Sequence, residues 1–291
     1  MVLKSYAKLN LYLAVLSRRP DNYHTLHTLF ERIDLHDSVV LKKRKDAAIK
    51  ISCSSPGIPV DEGNLCYQSA LLLQEQGLLS GGVEIAITKR IPAGAGLGGG
   101  SSNAAAVLSG LNTLYKLGLN RRKLLVLARK IGADVPFFLY NTSFAVGTGR
   151  GDRIRPRRVS LRKPLWHVLI VPQLTVSTGV IFKKWDTFKG LTIRKGNAKL
   201  LSLYIDNLKK NNLSQTGDFL FNGLEPVTEA LYPEVKRCKN ALRSEGVSAV
   251  MMSGSGPAVF GIVSSRKEAE CLAQRLKRRK ASWRVFVART R

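Results

Sequence analysis

The chain has 291 residues, and its most chemically loaded stretch is Pro92-Ala93-Gly94-Ala95-Gly96-Leu97-Gly98-Gly99-Gly100-Ser101-Ser102-Asn103. Five of these twelve residues are glycine, which lets a backbone adopt positive φ and come close to a ligand. Ser101, Ser102 and Asn103 are of the type that caps a helix N-terminus, and Ala104, Val107, Leu108, Leu111 and Leu114 then recur at helical spacing. A glycine loop that feeds a helix offers unpaired N–H groups and the positive end of the helix dipole. Together these form an anion cradle, most naturally for phosphate. Gly94, Gly96 and Gly99 satisfy the dinucleotide pattern G-x-G-x-x-G, but Gly118, Leu119 and Asn120 stand where its ribose-binding carboxylate belongs. No lysine follows the glycines as in a Walker loop, and the His-Arg-Asp and Asp-Phe-Gly pair of protein kinases is absent.

Other reactive side chains carry less by themselves. His24 and His27 form an H-x-x-H pair with no third ligand in view, so no zinc site is expected. Cys53, Cys66, Cys238 and Cys271 make no C-x-x-C pair, which points to free thiols in a reducing compartment. Asp134 follows a helical pattern directly and by itself reads as an exposed turn residue.

These residues need elements to hold them. Val83, Ile85 and Ile87 alternate as in a half-buried strand leading into the glycine loop. A helix is predicted over Leu65–Gln76, closed by Gly77. Another starts at Asn120, carries Leu124, Leu127, Ala128 and Ile131 on one face, and stops at Gly132. Seven basic residues and two prolines crowd Gly149–Pro164, which reads as an exposed connection between two domains, 1–155 and 156–291. Beyond it the pattern predicts a strand at Trp166–Val171 and a helix near Glu234–Ser244. Strands at Val247–Met252 and Ala258–Val263, a helix at Lys267–Lys280 and a strand at Trp283–Ala288 follow. The order is that of a split β-α-β, ferredoxin-like domain.

Composition sets the frame. Apolar residues at 44% and charged residues at 23% are ordinary for a soluble globular protein, and no apolar run is long enough to span a membrane. The N-terminus lacks signal-peptide architecture, and a cytoplasmic protein is expected. Lys and Arg outnumber Asp and Glu by 47 to 20, a net charge of +27 that favours polyanions. The cations are dispersed along the chain, however, so solvated faces are expected and no specific nucleic-acid groove.

The residues resemble the group of small-molecule kinases that includes galactokinase, homoserine kinase, mevalonate kinase and phosphomevalonate kinase. Pro92–Ser102 is similar to its central Pro-x-x-x-Gly-Leu-Gly-Ser-Ser motif. Ala7–Leu11, Asp21–Leu26 with Phe30, Gly132–Phe137 and Ser253–Pro257 resemble further motifs of one branch, in family order along nearly the whole chain. That branch phosphorylates a cytidine diphosphate methylerythritol in the non-mevalonate route to isoprenoid precursors. The resemblance implies an α+β fold of two domains. The N-terminal one would resemble the second domain of ribosomal protein S5, and the C-terminal one would be ferredoxin-like, with the active site between them. It implies ATP with Mg²⁺, a small-molecule acceptor, no membrane, and a monomer or homodimer.

By the same resemblance Asp134 is the base that takes the hydroxyl proton, with Lys8 beside it. Pro92, Gly94, Gly96, Leu97, Gly98, Gly99, Gly100, Ser101 and Ser102 hold the phosphates, one serine capping the helix and the other touching phosphate or Mg²⁺. Asn64 and Lys89 lie near the adenosine, Asn10 touches the erythritol, and Tyr23, His24, Phe30 and Phe182 receive the cytidine. No residue is assigned to the metal. Asn22 replaces a family glycine and Gly223 a family aspartate, which leaves the loop around 223 without its carboxylate. Homoserine and mevalonate kinases are the alternatives in the same group, and neither needs the Tyr23-His24 segment. A basic nucleic-acid-binding protein would leave the glycine loop unexplained.

Overall fold

The structure, a computed structural model, describes residues 1–188, 198–210 and 217–291. Two antiparallel-rich sheets organise it. In the first, β1 (Val2–Arg18) pairs antiparallel with the long β2 (His24–Lys43). The far half of β2 pairs with β4 (Val83–Thr88), which lies parallel to β3 (Ile49–Cys53). Its near half pairs with β5 (Phe144–Thr148), which pairs in turn with β6 (Arg153–Arg157). A short β8 (Phe221–Asn222) from much later in the chain runs parallel to β1 on its other side.

Helices α1 (Leu65–Glu75), α2 (Gly99–Leu114) and α3 (Arg121–Ile131) cover this sheet, and a short α4 (Val135–Phe138) follows them. Leu73, Val107, Leu108, Leu111 and Leu127 pack there against Val39, Leu41 and Ile85. The helix stops are local. Gly77, just past α1, has φ +66°, and the Asn120 side chain accepts from Lys123 N–H at the start of α3.

The second sheet has the order β11-β7-β10-β9, built from β7 (Trp166–Pro172), β9 (Val250–Met252), β10 (Val259–Val263) and β11 (Trp283–Arg289), all neighbours antiparallel. With α8 (Pro233–Ser244) and α9 (Arg266–Arg279) between its strands, it has the predicted split β-α-β order. β7 is apolar nearly throughout because both its faces are buried. Val168 and Ile170 pack towards α8 and α9, while Leu169 and Val171 pack against Leu9, Leu11, Leu29 and Ile33 of the first sheet. α6 (Ala198–Lys210) adds Leu201, Tyr204, Ile205 and Leu208 to that shared core. The remaining helices among the described residues are α5 (Thr178–Trp185) and α7 (Glu225–Leu231). No described helix is long and apolar enough to cross a membrane.

Three expectations change. α2 begins at Gly99, with Gly98 in left-handed conformation as its cap, so Ser101 and Ser102 lie in its first turn and neither caps it. The basic 149–164 stretch is only partly a connection, because 153–157 form strand β6 on the sheet edge. Of its residues only Ile154 is buried, and a charged, proline-containing edge strand is what discourages pairing with another chain. The strand expected from Val247 begins at Val250.

Candidate active site

β1 sets the register of the site. Ala7, Leu9 and Leu11 enter the shared core, so Lys8 and Asn10 project from the opposite face. A register shift between Asn10 and Tyr12 then turns Leu13 towards the same cavity. Lys8 is 3% exposed, far from the solvated residue that its position in a strand would suggest alone. Its Nζ donates to Asn10 Oδ1 (2.5 Å), lies 3.4 Å from Asp134 Oδ2, and sits 5.5 Å from the centre of the Phe30 ring. Asn10 Nδ2 donates to Thr28 Oγ1 (2.8 Å), and Thr28 donates to the Tyr12 carbonyl (2.8 Å), so the ammonium is held by a buried chain of polar groups.

Asp134 lies between α3 and α4. Its carboxylate has no capping bond, pairs with Lys8 and stays one-third exposed at 34%. α4 is fixed from behind by Arg32, which donates to the carbonyls of Tyr140 (2.5 Å) and Phe138 (3.4 Å) and stacks over Phe137. Burial pulls the Arg32 guanidinium down to about 10.

The glycine loop is clamped at both ends. At its entry the buried Asp37 accepts N–H bonds from Arg90 (2.7 Å) and Ile91 (2.8 Å) and pairs with Lys89. At its crest Lys8 N–H donates to the Leu97 carbonyl (3.0 Å), and Ser253 Oγ donates to the Gly96 carbonyl (3.0 Å). Ala258 N–H reaches the Ala95 carbonyl (3.2 Å). The loop and the Ser253–Pro257 turn are therefore interlocked. Gly96 has φ +74°, and a Cβ there would lie 2.1 Å from the Ser253 carbonyl oxygen. Gly98, at φ +68°, leaves room for the Lys8 stem, which a Cβ would meet at 3.0 Å. The first intrahelical bond of α2 runs from Ser102 N–H to the Gly98 carbonyl (2.9 Å), so the preceding amides lack intrahelical partners.

Two cavities meet here. One, of about 290 Å³, is lined by Lys8, Asn10, Thr28, Phe30, the loop from Pro92 to Ser101, Asp134 and Phe182. The other, of about 730 Å³, is lined by Tyr23, His24, Arg150, Phe182 and Asp186. Both have Ser101, Asp134, Leu26, Thr178 and Phe182 in their walls. Tyr23 is half exposed, with the Arg150 guanidinium 4.7 Å over its ring. The turn before it is held by Arg19, which hydrogen-bonds Asp21 and keeps that carboxyl below its usual range. Asn22 takes φ +62°, so the turn survives without the family glycine.

The structure thus gathers Lys8, Asn10, Asp134, the loop, Ser101, Tyr23, His24, Phe30 and Phe182 around the joined cavities. Phe30 is a core aromatic (1% exposed) that contributes an edge. Ser102, Asn64 and Lys89 line neither cavity. Ser102 Oγ accepts from Ser5 Oγ (2.8 Å) in the interior. Asn64 caps α1, accepting from Cys66 N–H (2.9 Å) and donating to the Pro59 carbonyl (2.7 Å). Lys89 pairs with Asp37. Asn222 donates to the carbonyls of Met252 and Gly254 (2.8 Å each), so the 222–224 loop supports the second turn with a carboxamide. Sequence reasoning missed Asp37, Ser253, Arg150 and Asp186; of these only Ser253 stood in a motif already noted.

A carboxylate and an ammonium sharing one cavity with a main-chain anion cradle define a site for phosphoryl or acyl chemistry on an alcohol. The family model "GHMP kinases N terminal domain" matches residues 64–142, and "GHMP kinases C terminal" matches 204–282. The chain belongs to the GHMP kinases. The 4-diphosphocytidyl-2-C-methyl-D-erythritol kinase of Shouchella clausii is 42% identical over 90% of this chain and 85% of its own length. The enzyme of that name from Caldicellulosiruptor saccharolyticus is 38% identical over 95% and 93%. A crystal structure of 4-(cytidine 5'-diphospho)-2C-methyl-D-erythritol kinase superposes with a TM-score of 0.80 at 34% identity, covering 99% of this chain and 98% of that one. Within the GHMP kinases the chain is a member of this 4-diphosphocytidyl-2-C-methyl-D-erythritol kinase family.

Proposed function

We propose that the protein transfers the terminal phosphoryl group of ATP to the 2-hydroxyl of 4-(cytidine 5′-diphospho)-2-C-methyl-D-erythritol, releasing ADP. The observation that carries this is the junction of two cavities at Asp134. One is walled by main-chain amides suited to a triphosphate, the other by aromatic side chains suited to a base. An acceptor alcohol attached to a nucleoside diphosphate fits with its base in the larger cavity and its hydroxyl at Asp134.

Asp134 takes the proton of the attacking hydroxyl. Lys8 stands 3.4 Å away, pairs with the carboxylate and offsets the charge that develops during transfer. Its own position is fixed by Asn10 and Thr28, so little reorganisation is needed when the acceptor arrives. The α2 N-terminus and the loop amides face the transferring phosphate. No cluster of three acidic, histidine or cysteine side chains stands ready for a metal among the described residues; Mg²⁺ would be held mainly by the nucleotide phosphates. The Ser101 hydroxyl, in the first turn of α2 and in the cavity wall beside the loop, is an oxygen that would hold it, and the ion would neutralise phosphate charge there.

A coupled assay of ADP release with three acceptors tests the proposal. Turnover with the cytidine diphosphate alcohol, and none with homoserine or mevalonate, is expected. Turnover with either of the latter instead would overturn it.

A further inference from the structure

His24 is held more tightly than stacking on a base requires. Its ring is 5% exposed, stacked on Phe182 (4.9 Å between centroids, 21° between planes) and met edge-on by Trp185 (5.4 Å, 82°). Its Nε2 lies 2.7 Å from Asp186 Oδ1. Phe182, Trp185 and Asp186 all belong to α5 or its C-terminal cap, where Asp186 N–H donates to the Phe182 carbonyl (3.2 Å). One short helix therefore fixes the imidazole in plane, in rotation and at one nitrogen. Arg18 stands 3.8 Å from the other oxygen of Asp186 and balances its charge. His24 Nδ1 has no partner among the described residues and is not one of the sealed, orphaned polar atoms, while the residue lines the larger cavity.

An ionised carboxylate only accepts hydrogen bonds. Nε2 must then carry the proton, and in the neutral ring Nδ1 is left as a bare acceptor. We propose that Asp186 is a positioning residue that locks this tautomer, so that the cavity offers an acceptor to the edge of the bound base, a role that rests on the cytidine substrate proposed above. Cytosine presents an amino group on that edge and satisfies the acceptor. Uracil presents a carbonyl there, which sets two acceptors against each other and leaves both unpaired on burial. The pair therefore selects an amino-bearing pyrimidine, a discrimination that stacking between aromatic rings cannot supply.

Two measurements on the full chain test this. Nitrogen NMR of the wild-type protein should show His24 protonated at Nε2 and bare at Nδ1. A proton on Nδ1, alone or together with Nε2, would overturn the lock whatever any variant does. Binding of CDP and UDP is then compared calorimetrically in the wild type and in Asp186→Asn, whose carboxamide can either donate or accept. CDP should bind the wild type about tenfold or more tightly than UDP, the scale of one unsatisfied buried hydrogen bond, and the variant should bring the two close together. In turnover the variant should raise KM for the cytidine substrate and leave kcat nearly unchanged. An unaltered CDP preference in a variant that folds would end the role of Asp186. Because binding needs no reaction, failure of the kinase assay with an intact CDP preference would count against the reaction alone.

Discussion

Around the glycine loop the cavity wall is mostly main chain, interlocked with a second turn through Ser253 and Ala258 and tied to β1 through Lys8. In the side pocket the wall is made of side chains instead: Tyr23 under Arg150, His24 against Phe182, and Asp186 behind. The first wall can only be altered by deforming backbone, because its shape depends on positive φ and on space that a Cβ would occupy. The second can be altered one side chain at a time. Phosphate is common to every kinase substrate and suits a rigid amide surface, whereas the acceptor differs between enzymes and is read by replaceable groups. Damage at the first wall should therefore reach turnover and folding together, and damage at the second should appear in substrate affinity.

At the joint between the two walls the effect should be largest. Asp134→Asn is expected to lower kcat by a factor of about a hundred or more, the typical loss for a general base. ATP binding should persist, since the loop is untouched. Near-normal turnover in this variant would remove Asp134 from the chemistry and leave the two cavities without a catalytic centre.

Gly96→Ala attacks the main-chain wall itself. Left-handed φ costs an alanine about 1–2 kcal/mol, and its Cβ would sit 2.1 Å from the Ser253 carbonyl oxygen, so the loop and turn must separate. The expected outcome is a lower melting temperature together with a loss in kcat/KM for ATP. A variant as stable and active as the parent would show that the interlock does not shape the cradle.

Tyr23→Ala probes the side-chain wall alone. Base stacking is worth about 1–3 kcal/mol, so KM for the cytidine substrate should rise by roughly tenfold while kcat and the melting temperature change little. A fall in kcat without a change in KM would blur the division between the two walls.

How far the sequence reveals each wall follows from the range of the interactions. The loop, α1, α3 and the split β-α-β order are legible because glycine density, capping residues and apolar spacing act over a few residues. Lys8 and Asn10 are legible only through family resemblance, since their burial is set by the pairing of β1 with β2 and by a register shift no local pattern announces. Asp37, which pins the loop entry from a different strand, looks like one more charged strand residue. Asp186 meets His24 across 162 positions of chain. Composition misleads at β6, where the arginines and proline of an edge strand imitate a linker. It misleads again at Ser101 and Ser102, where Gly98 in left-handed conformation starts the helix before either serine.

The smallest effect separates support from contact. Asn64 resembles a position near the adenosine, yet both ends of its carboxamide are engaged, one by Cys66 N–H and the other by the Pro59 carbonyl. Removing an N-cap side chain costs about 1 kcal/mol. Asn64→Ala should therefore lower stability by that amount in a denaturant titration and leave KM for ATP essentially unchanged, because Leu65, and not Asn64, reaches the cavity. A clear rise in KM for ATP with unchanged stability would instead mean that the amide leaves its cap for the nucleotide. The main-chain wall would then carry at least one exchangeable side chain of its own, and the contrast between the two walls would narrow to a difference of degree.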